Sequence, residues 1–300
     1  MRVSPTVSPM EITSVAPSAT LPQSPEFPTA IMDSQLATPA DDLLNQSTLR
    51  SEAPLDVVEQ PMPIPLPTPN GSLSMTQKVP ILMYHYISYP PENADKYRRD
   101  LSVSPNEFKA QMQFLVDQGY EAIDLYDLSL AIVGKKELPA KPLIITLDDG
   151  YRDNYENAFP ILQELGLKAT FFIVTEFVDL GNPNYMDWGM IEEMAAAGMR
   201  FEPHSKTHPN LTEHERDFII WEVLGSAETL EAHIKYRPRY IAYPGGWYNE
   251  EIQQIVAELN FWGAMTTAWG LSHSYNDRFE WSRIRIHDTT TIAELADMIE

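Results

Sequence analysis

The chain has 300 residues, and its 43 acidic side chains against 21 basic ones give a formal net charge of -22. This charge argues against nucleic acid or an anionic membrane surface as a partner, because both require basic patches. The sequence contains no cysteine, which excludes disulfides and thiolate metal sites, so any bound metal must take nitrogen and oxygen ligands.

Residues 1–77 are predicted to form a disordered spacer rich in Pro, Ser and Thr, followed by a catalytic domain over residues 78–300. More than half of the 25 prolines precede Tyr84, and proline occupies every second position from Pro61 to Pro69. Such a run favours a semi-rigid polyproline II linker. A docking segment for a proline-binding partner is the alternative. No run is long enough to span a membrane, and residues 1–30 lack the basic start and apolar centre of a signal peptide.

Strand and helix patterns alternate through the rest of the chain. Ser104-Pro105-Asn106-Glu107 is a capping box with proline at the first helical position, and it predicts a helix that ends at Gly119. Further helices are predicted near residues 155–165, 188–197, 213–233 and 249–259. Strands are predicted near residues 79–85, 122–125, 143–147, 169–174, 199–201, 240–243 and 263–267. Repeated strand-then-helix units predict an α/β fold with a parallel sheet, and about seven strands favour a closed or nearly closed barrel.

The strand at residues 143–147 ends in two adjacent carboxylates, Asp148 and Asp149. Because side chains alternate along a strand, both can face one opening only where the strand ends, and Gly150 supplies the turn. The carboxyl ends of parallel strands are where α/β folds place their sites. A simple turn that leaves a strand is the alternative.

A second pattern is the pair His204 and His208. Residues four apart lie on one side of a helical turn, a spacing that lets both imidazoles reach one cation. With one aspartate they form a three-ligand set that leaves metal positions open for water and substrate, as catalytic sites do. Two polar histidines in a loop are the alternative.

Residues 146–150, Thr-Leu-Asp-Asp-Gly, and residues 204–209, His-Ser-Lys-Thr-His-Pro, resemble two motifs of the polysaccharide deacetylases, carbohydrate esterase family four. Those motifs are T-F-D-D-G and H-[ST]-x-x-H-P. Residues 79–85 and 240–246 are similar to the exopolysaccharide N-deacetylase branch in particular. The resemblance extends from about residue 78 to the C-terminus, and it implies a distorted (β/α) barrel with about seven strands.

The resemblance also implies roles for individual residues. Asp149, His204 and His208 would hold one divalent metal ion, with Zn²⁺ preferred and Co²⁺ or Ni²⁺ as alternatives. Asp148 would be the general base that takes a proton from the attacking water. The backbone N–H of Gly245 would donate to the oxyanion, although an ordinary turn is the alternative at that position.

The sequence departs from the family pattern at two positions. Ala242 stands where many relatives carry an arginine that orients the base, and Arg283 is the candidate replacement, with a surface or ion-pair arginine as the alternative. The family's late histidine, the general acid, is matched only loosely by His287. His85, at the end of the first predicted strand, is the preferred candidate, and a structural histidine is the alternative for both.

These roles predict a hydrolase that removes N-acetyl groups from an acetylated polysaccharide or oligosaccharide containing N-acetylglucosamine, outside the cytoplasm. A carbohydrate-binding protein of the same fold with impaired catalysis and an O-acetyl esterase acting on xylan are the alternatives. Aromatic side chains beside the motifs would line the substrate groove, although packing is the preferred interpretation for Trp188. They are Tyr151, Trp188, Trp247 and Tyr248.

Overall fold

The computed structural model describes residues 75–300, and the predicted spacer up to residue 74 lies outside this range. The strands are β1 (Gln77–Lys78), β2 (Ile81–Tyr84), β3 (Glu121–Ala122), β4 (Pro142–Leu147), β5 (Thr170–Ile173), β6 (Arg200–Pro203), β7 (Tyr240–Ala242), β8 (Gly263–Met265), β9 (Ser272–His273) and β10 (Ile284–Arg285). The helices are α1 (Lys96–Asp100), α2 (Pro105–Asp117), α3 (Leu125–Ile132), α4 (Phe159–Glu164), α5 (Thr175–Asp179), α6 (Trp188–Ala196), α7 (Arg216–Ile234), α8 (Glu250–Glu258) and α9 (Ile292–Ile299). Within the described range, no helix is both long and apolar enough to cross a lipid bilayer.

The central sheet has the order β10-β2-β4-β5-β6, and all of its strands run parallel. β3 joins the start of β4, while β7 and β8 form a separate parallel pair. The predicted α/β fold with a mostly parallel sheet is confirmed. The closed barrel and the count of seven strands are not confirmed, because the described strands show no ladder between β6 and β7.

A buried side chain bridges the interruption between β6 and β7. Glu202 on β6 is fully buried, and its Oε2 accepts hydrogen bonds from the backbone N–H groups of Arg239 and Tyr240, both at 2.9 Å. Burial raises the pKa of Glu202 to about 8. The carboxyl group thus takes the place of a ladder partner for the N–H groups at the start of β7, which would otherwise be buried without acceptors.

The strands are buried on both faces, as expected for parallel strands covered by helices. Alternate residues of β4 pack into two clusters: Ile145 faces the helices, and Ile144 faces inward. The inward cluster also contains Ile81, Phe172 and Met265, which come from β2, β5 and β8. The sheet therefore curves around an apolar interior, and the carboxyl ends of its strands converge at one opening.

The helix predicted from Ser104 is confirmed as α2, and both bonds of its capping box form with Glu107. The strand predicted for residues 122–125 is wrong beyond Ala122, because Asp124 caps a helix, α3, that the sequence analysis missed. This capping box has Asp127 three residues after the cap, in place of the Glu or Gln that usually marks the motif.

Candidate active site

Asp148 and Asp149 lie where β4 ends. The Asp148 N–H still donates to the Tyr84 carbonyl at 2.9 Å, and the chain then turns through left-handed backbone at Asp149, with φ of 71°, and Gly150, with φ of 79°. A Cβ at Gly150 would lie 2.9 Å from Ile173 Cδ1, so a side chain there would displace Ile173 in addition to straining the left-handed backbone. The turn leaves both aspartates buried at the sheet's opening, at 2% and 8% exposure.

Asp149, His204 and His208 form a compact cluster. The Nε2 atoms of the two histidines each lie 3.4 Å from Asp149 Oδ1. Among residues 75–300, these are the one group of three histidine or carboxylate side chains whose ligand atoms lie within 4.8 Å of one another. The His208 side chain is 34% exposed, so the cluster opens to solvent on that side.

The two histidines lie in a loop, and the predicted helical turn is wrong. β6 ends at Pro203, and left-handed backbone at Ser205, with φ of 66°, and His208, with φ of 61°, breaks any helical path. The Ser205 hydroxyl accepts a hydrogen bond from the His208 N–H at 3.0 Å, which closes the loop on itself. Both imidazoles still face one point, as the spacing predicted, but a folded loop brings them there.

Hydrogen bonding fixes the tautomer of His204. Its Nδ1 lies 2.7 Å from the Ala242 carbonyl oxygen, which can only accept, so Nδ1 carries a proton and Nε2 is the ring nitrogen that faces the cluster. Burial alone would raise the pKa of Asp149, but its interactions with His204 outweigh burial and hold the pKa below the usual range. The cluster therefore offers an ionised oxygen and at least one oriented imidazole nitrogen.

This donor set fits a divalent metal ion. A tetrahedral zinc site with bonds of about 2.0–2.1 Å has ligand atoms about 3.3–3.4 Å apart. The two histidine–aspartate separations of 3.4 Å match that spacing. Two imidazoles and one carboxylate leave further coordination positions open, as in catalytic zinc sites.

Arg283 lies directly against Asp148. Its Nη1 and Nη2 donate to the two oxygens of that carboxylate, each at 2.7 Å, and its Nε donates to the Thr266 carbonyl at 3.0 Å. Burial alone would raise the pKa of Asp148, but the charge and hydrogen bonds of Arg283 hold it below the usual range. The pair keeps Asp148 ionised and fixes the plane of its carboxylate.

The two candidate acids occupy different surroundings. His85 is buried with its Nε2 4.0 Å from Asp148 Oδ2, and its Nδ1 has no hydrogen-bond partner in the described part of the chain. Burial lowers the pKa of His85, and Asp148 opposes that shift only in part. His287 instead places Nδ1 2.8 Å from Asp100 Oδ1, with 41% of its side chain exposed. The structure thus brings His85, and not His287, to Asp148.

Gly245 lies in the turn Pro244–Gly246 that follows β7. Its φ of 62° is left-handed, and a Cβ there would lie 2.6 Å from the Trp247 ring. Glycine is therefore required at this position. The turn begins two residues after Ala242, whose carbonyl binds His204, so it leaves β7 beside the histidine cluster.

A polar pocket of 630 Å³ is lined in part by Tyr151, two residues after Asp149, and the sequence analysis missed most of its other walls. Its lining includes Tyr86, Arg98, Tyr151, Asp153, Glu156 and Asn184. Tyr86 was missed although it directly follows His85; it lies between Arg98, 3.4 Å above its ring, and the stacked Tyr151 ring at 3.6 Å.

The other three predicted groove aromatics differ in their surroundings. Trp188 stacks on His233 at 3.9 Å with parallel rings, in agreement with packing. Tyr248 stacks on Tyr243 at 5.0 Å, whereas Trp247 is exposed. Trp247 is thus the exposed one of these three side chains, and its ring lies beside Gly245.

Comparison with known proteins places these motifs in a family context. The family model described as "Polysaccharide deacetylase" matches residues 135–263. The putative polysaccharide deacetylase YxkH of Bacillus subtilis is 31% identical over 209 residues, which cover 70% of this chain and 71% of that protein. The structure of the Streptococcus pyogenes deacetylase PplD in complex with acetate superposes with a TM-score of 0.70 at 31% identity, covering 75% of this chain and all of that one.

A third relative carries a more specific name. The poly-beta-1,6-N-acetyl-D-glucosamine N-deacetylase of Staphylococcus aureus strain MRSA252 is 29% identical over 178 residues. The match covers 55% of this chain and 60% of the length of the staphylococcal protein.

Proposed function

The chain belongs to the polysaccharide deacetylase family, and we propose that it is a metal-dependent hydrolase that removes N-acetyl groups from N-acetylglucosamine units of a polysaccharide or glycan. The observation that carries this proposal is the meeting of two groups at one opening: the Asp149, His204 and His208 cluster, and the ionised pair of Asp148 and Arg283. The staphylococcal relative's name supports the N-acetyl substrate. The acetate in the streptococcal structure is the product that deacetylation releases.

Amide hydrolysis needs an activated water and a polarised carbonyl. A divalent ion, for which Zn²⁺ is the preferred candidate, would be held by Asp149, His204 and His208 and would supply Lewis-acid polarisation and water activation. Asp148 accepts the proton of the attacking water. Because Asp148 directly precedes Asp149 in the chain, it lies close to the proposed metal site where that water is activated. Arg283 holds the carboxylate of Asp148 in its ionised form, and the carboxylate still has free lone pairs that can accept a proton.

Two further groups complete the proposed mechanism. The Gly245 N–H donates to the oxyanion as it forms on the acetyl carbon. His85 protonates the departing amine. Apart from the cluster of His204 and His208, His85 is the histidine in the described residues whose ring nitrogen lies within 4.0 Å of Asp148. A lowered pKa makes protonated His85 the stronger proton donor, and it also reduces the protonated fraction of His85 near neutral pH.

We expect His85→Ala to reduce turnover of N-acetyl substrates strongly and to affect activated aryl esters far less. An amine leaves poorly without a proton, whereas an activated phenolate leaves without one. Steady-state rates on both substrate types measure this difference. His287→Ala is the matched control and should change neither rate, because His287 binds Asp100. A selective loss in His287→Ala, with none in His85→Ala, would reverse the assignment.

The contact of Arg283 with Asp148 bears on the proposal that the protein only binds carbohydrate. The missing arginine at Ala242 and the uncertain general acid were the two reasons for that alternative, and Arg283 binds Asp148 from another part of the chain. We therefore propose an active enzyme. The pocket beside Tyr151 would hold neighbouring sugars of the chain, and a substrate of this kind favours a location outside the cytoplasm.

A panel of acetylated glycans tests the proposed function. We expect acetate release from oligomers of N-acetylglucosamine to exceed release from acetylated xylan, since the relatives with specific names act on an N-acetyl substrate. Acetate and free amine are measured together, because only amide cleavage yields both. Acetate release from xylan alone would replace the proposal with an O-acetyl esterase, and binding without release would replace it with a carbohydrate-binding protein.

A further inference from the structure

The loop between His204 and His208 is held by a side chain from a different element. We propose that Glu222, on α7, is the positioning residue that fixes this loop so that both histidines face Asp149; the inference rests on the metal site of the proposed function. Glu222 is fully buried and has no part in the proposed chemistry.

Glu222 accepts three hydrogen bonds from the two residues in the middle of the loop. Its Oε2 accepts from the backbone N–H of Lys206 at 2.7 Å and from that of Thr207 at 2.9 Å. Its Oε1 accepts from the Thr207 hydroxyl. The two backbone N–H groups can only donate, so this position requires an acceptor at Oε2, whereas the Thr207 hydroxyl can donate or accept at the other end.

Lys206 adds a second contact with the same helix. A Cβ at Gly225 would lie 3.0 Å from Lys206 Cδ, so the lysine side chain crosses α7 at its glycine. The Lys206 Nζ then lies 5.3 Å from the centre of the Trp221 ring. On the opposite side, the Lys206 carbonyl accepts from the Glu176 N–H of α5 at 2.9 Å. The loop is thus clamped between α5 and α7.

This clamp matters because the loop's backbone is unfavourable. Ser205 and His208 both have left-handed backbone, which residues other than glycine adopt only where surrounding contacts impose it. Asp149 and His204 are held independently, by the end of β4 and by the Ala242 carbonyl. Without Glu222 the loop can relax, and His208 is the ligand that would move away from Asp149.

Replacing Glu222 tests this inference through metal affinity. We expect Glu222→Leu, which fills similar volume but accepts no hydrogen bond, to weaken metal binding by about 10- to 100-fold, the usual cost of losing support for a ligand. Glu222→Asp, one methylene short of the loop, should weaken it in the same direction. Glu222→Gln should stay near wild type, because its oxygen can accept both N–H groups while its NH₂ donates to Thr207. Affinity for Zn²⁺ is measured by chelator competition below each variant's Tm.

Leu230→Ala is the matched control, because Leu230 is buried on the same helix and packs into the core away from the loop. It should lower the Tm and leave metal affinity unchanged. If folded Glu222→Leu or Glu222→Asp binds Zn²⁺ as tightly as wild type, or if Leu230→Ala weakens binding equally, the positioning role is wrong while the metal site stands. A wild-type protein that binds no divalent ion would overturn the metal site and this inference together.

Discussion

Asp148→Asn is expected to retain bound metal and to lose roughly 100-fold or more in turnover, the usual scale for removal of a general base. Asparagine keeps the shape of the side chain but cannot take a proton from water. Metal retention is expected because the proposed ligands are Asp149, His204 and His208, whereas Asp148 binds Arg283. Elemental analysis and turnover on N-acetylglucosamine oligomers measure the two effects separately.

Asp149→Asn is the comparison that separates the two aspartates. It removes an ionised ligand from the cluster and should lose metal as well as turnover. The melting temperature of Asp148→Asn is measured alongside, because the substitution leaves the buried guanidinium of Arg283 without its counter-charge. Equal metal loss in the two folded variants would refute this division of roles.

The approach of Asp149, His204 and His208 to one another was predictable because it depends on local features of the sequence. An apolar strand followed by Asp148-Asp149-Gly150 places two carboxylates at a strand end, and a four-residue spacing lets His204 and His208 approach one point. Their conformation was not predictable from spacing. The left-handed residues lie in a loop whose backbone N–H groups donate to Glu222 of α7, a residue outside the motif.

The partner of Asp148 could be identified only from the three-dimensional structure. Arg283 lies 135 residues away, and sequence reasoning could propose it only because Ala242 left a role unfilled. The choice between His85 and His287 stayed open for the same reason. It depends on which strand ends meet, and the structure places β2 beside β4, so that His85 faces Asp148.

Two buried glutamates escaped the sequence analysis entirely. Glu222 lies on the buried face of α7 beside Val223 and Ser226, and its carboxylate accepts a hydrogen bond from the histidine loop. Glu202 interrupts an apolar strand pattern in β6 and could have raised suspicion, yet its partners come from the start of β7. A buried carboxylate is recognised by its donors, and these donors are distant in sequence.

The double variant His204→Ala, His208→Ala is expected to bind no divalent metal and to release no acetate. It removes both imidazoles from the cluster, and within residues 75–300 no second group of three histidine or carboxylate side chains lies close enough to replace it. Stoichiometric metal in this variant would show that the ligand assignment is wrong. Circular dichroism establishes that the variant is folded.

Acetate release from N-acetylglucosamine oligomers, before and after metal removal, tests the central claim most directly. Wild-type protein should lose activity with a chelator and regain it when Zn²⁺, Co²⁺ or Ni²⁺ is restored. The double histidine variant should be inactive throughout, whichever ion is added. Acetate release by fully metal-stripped wild-type protein, or restoration of activity in the double variant, would contradict hydrolysis at the Asp149, His204 and His208 site.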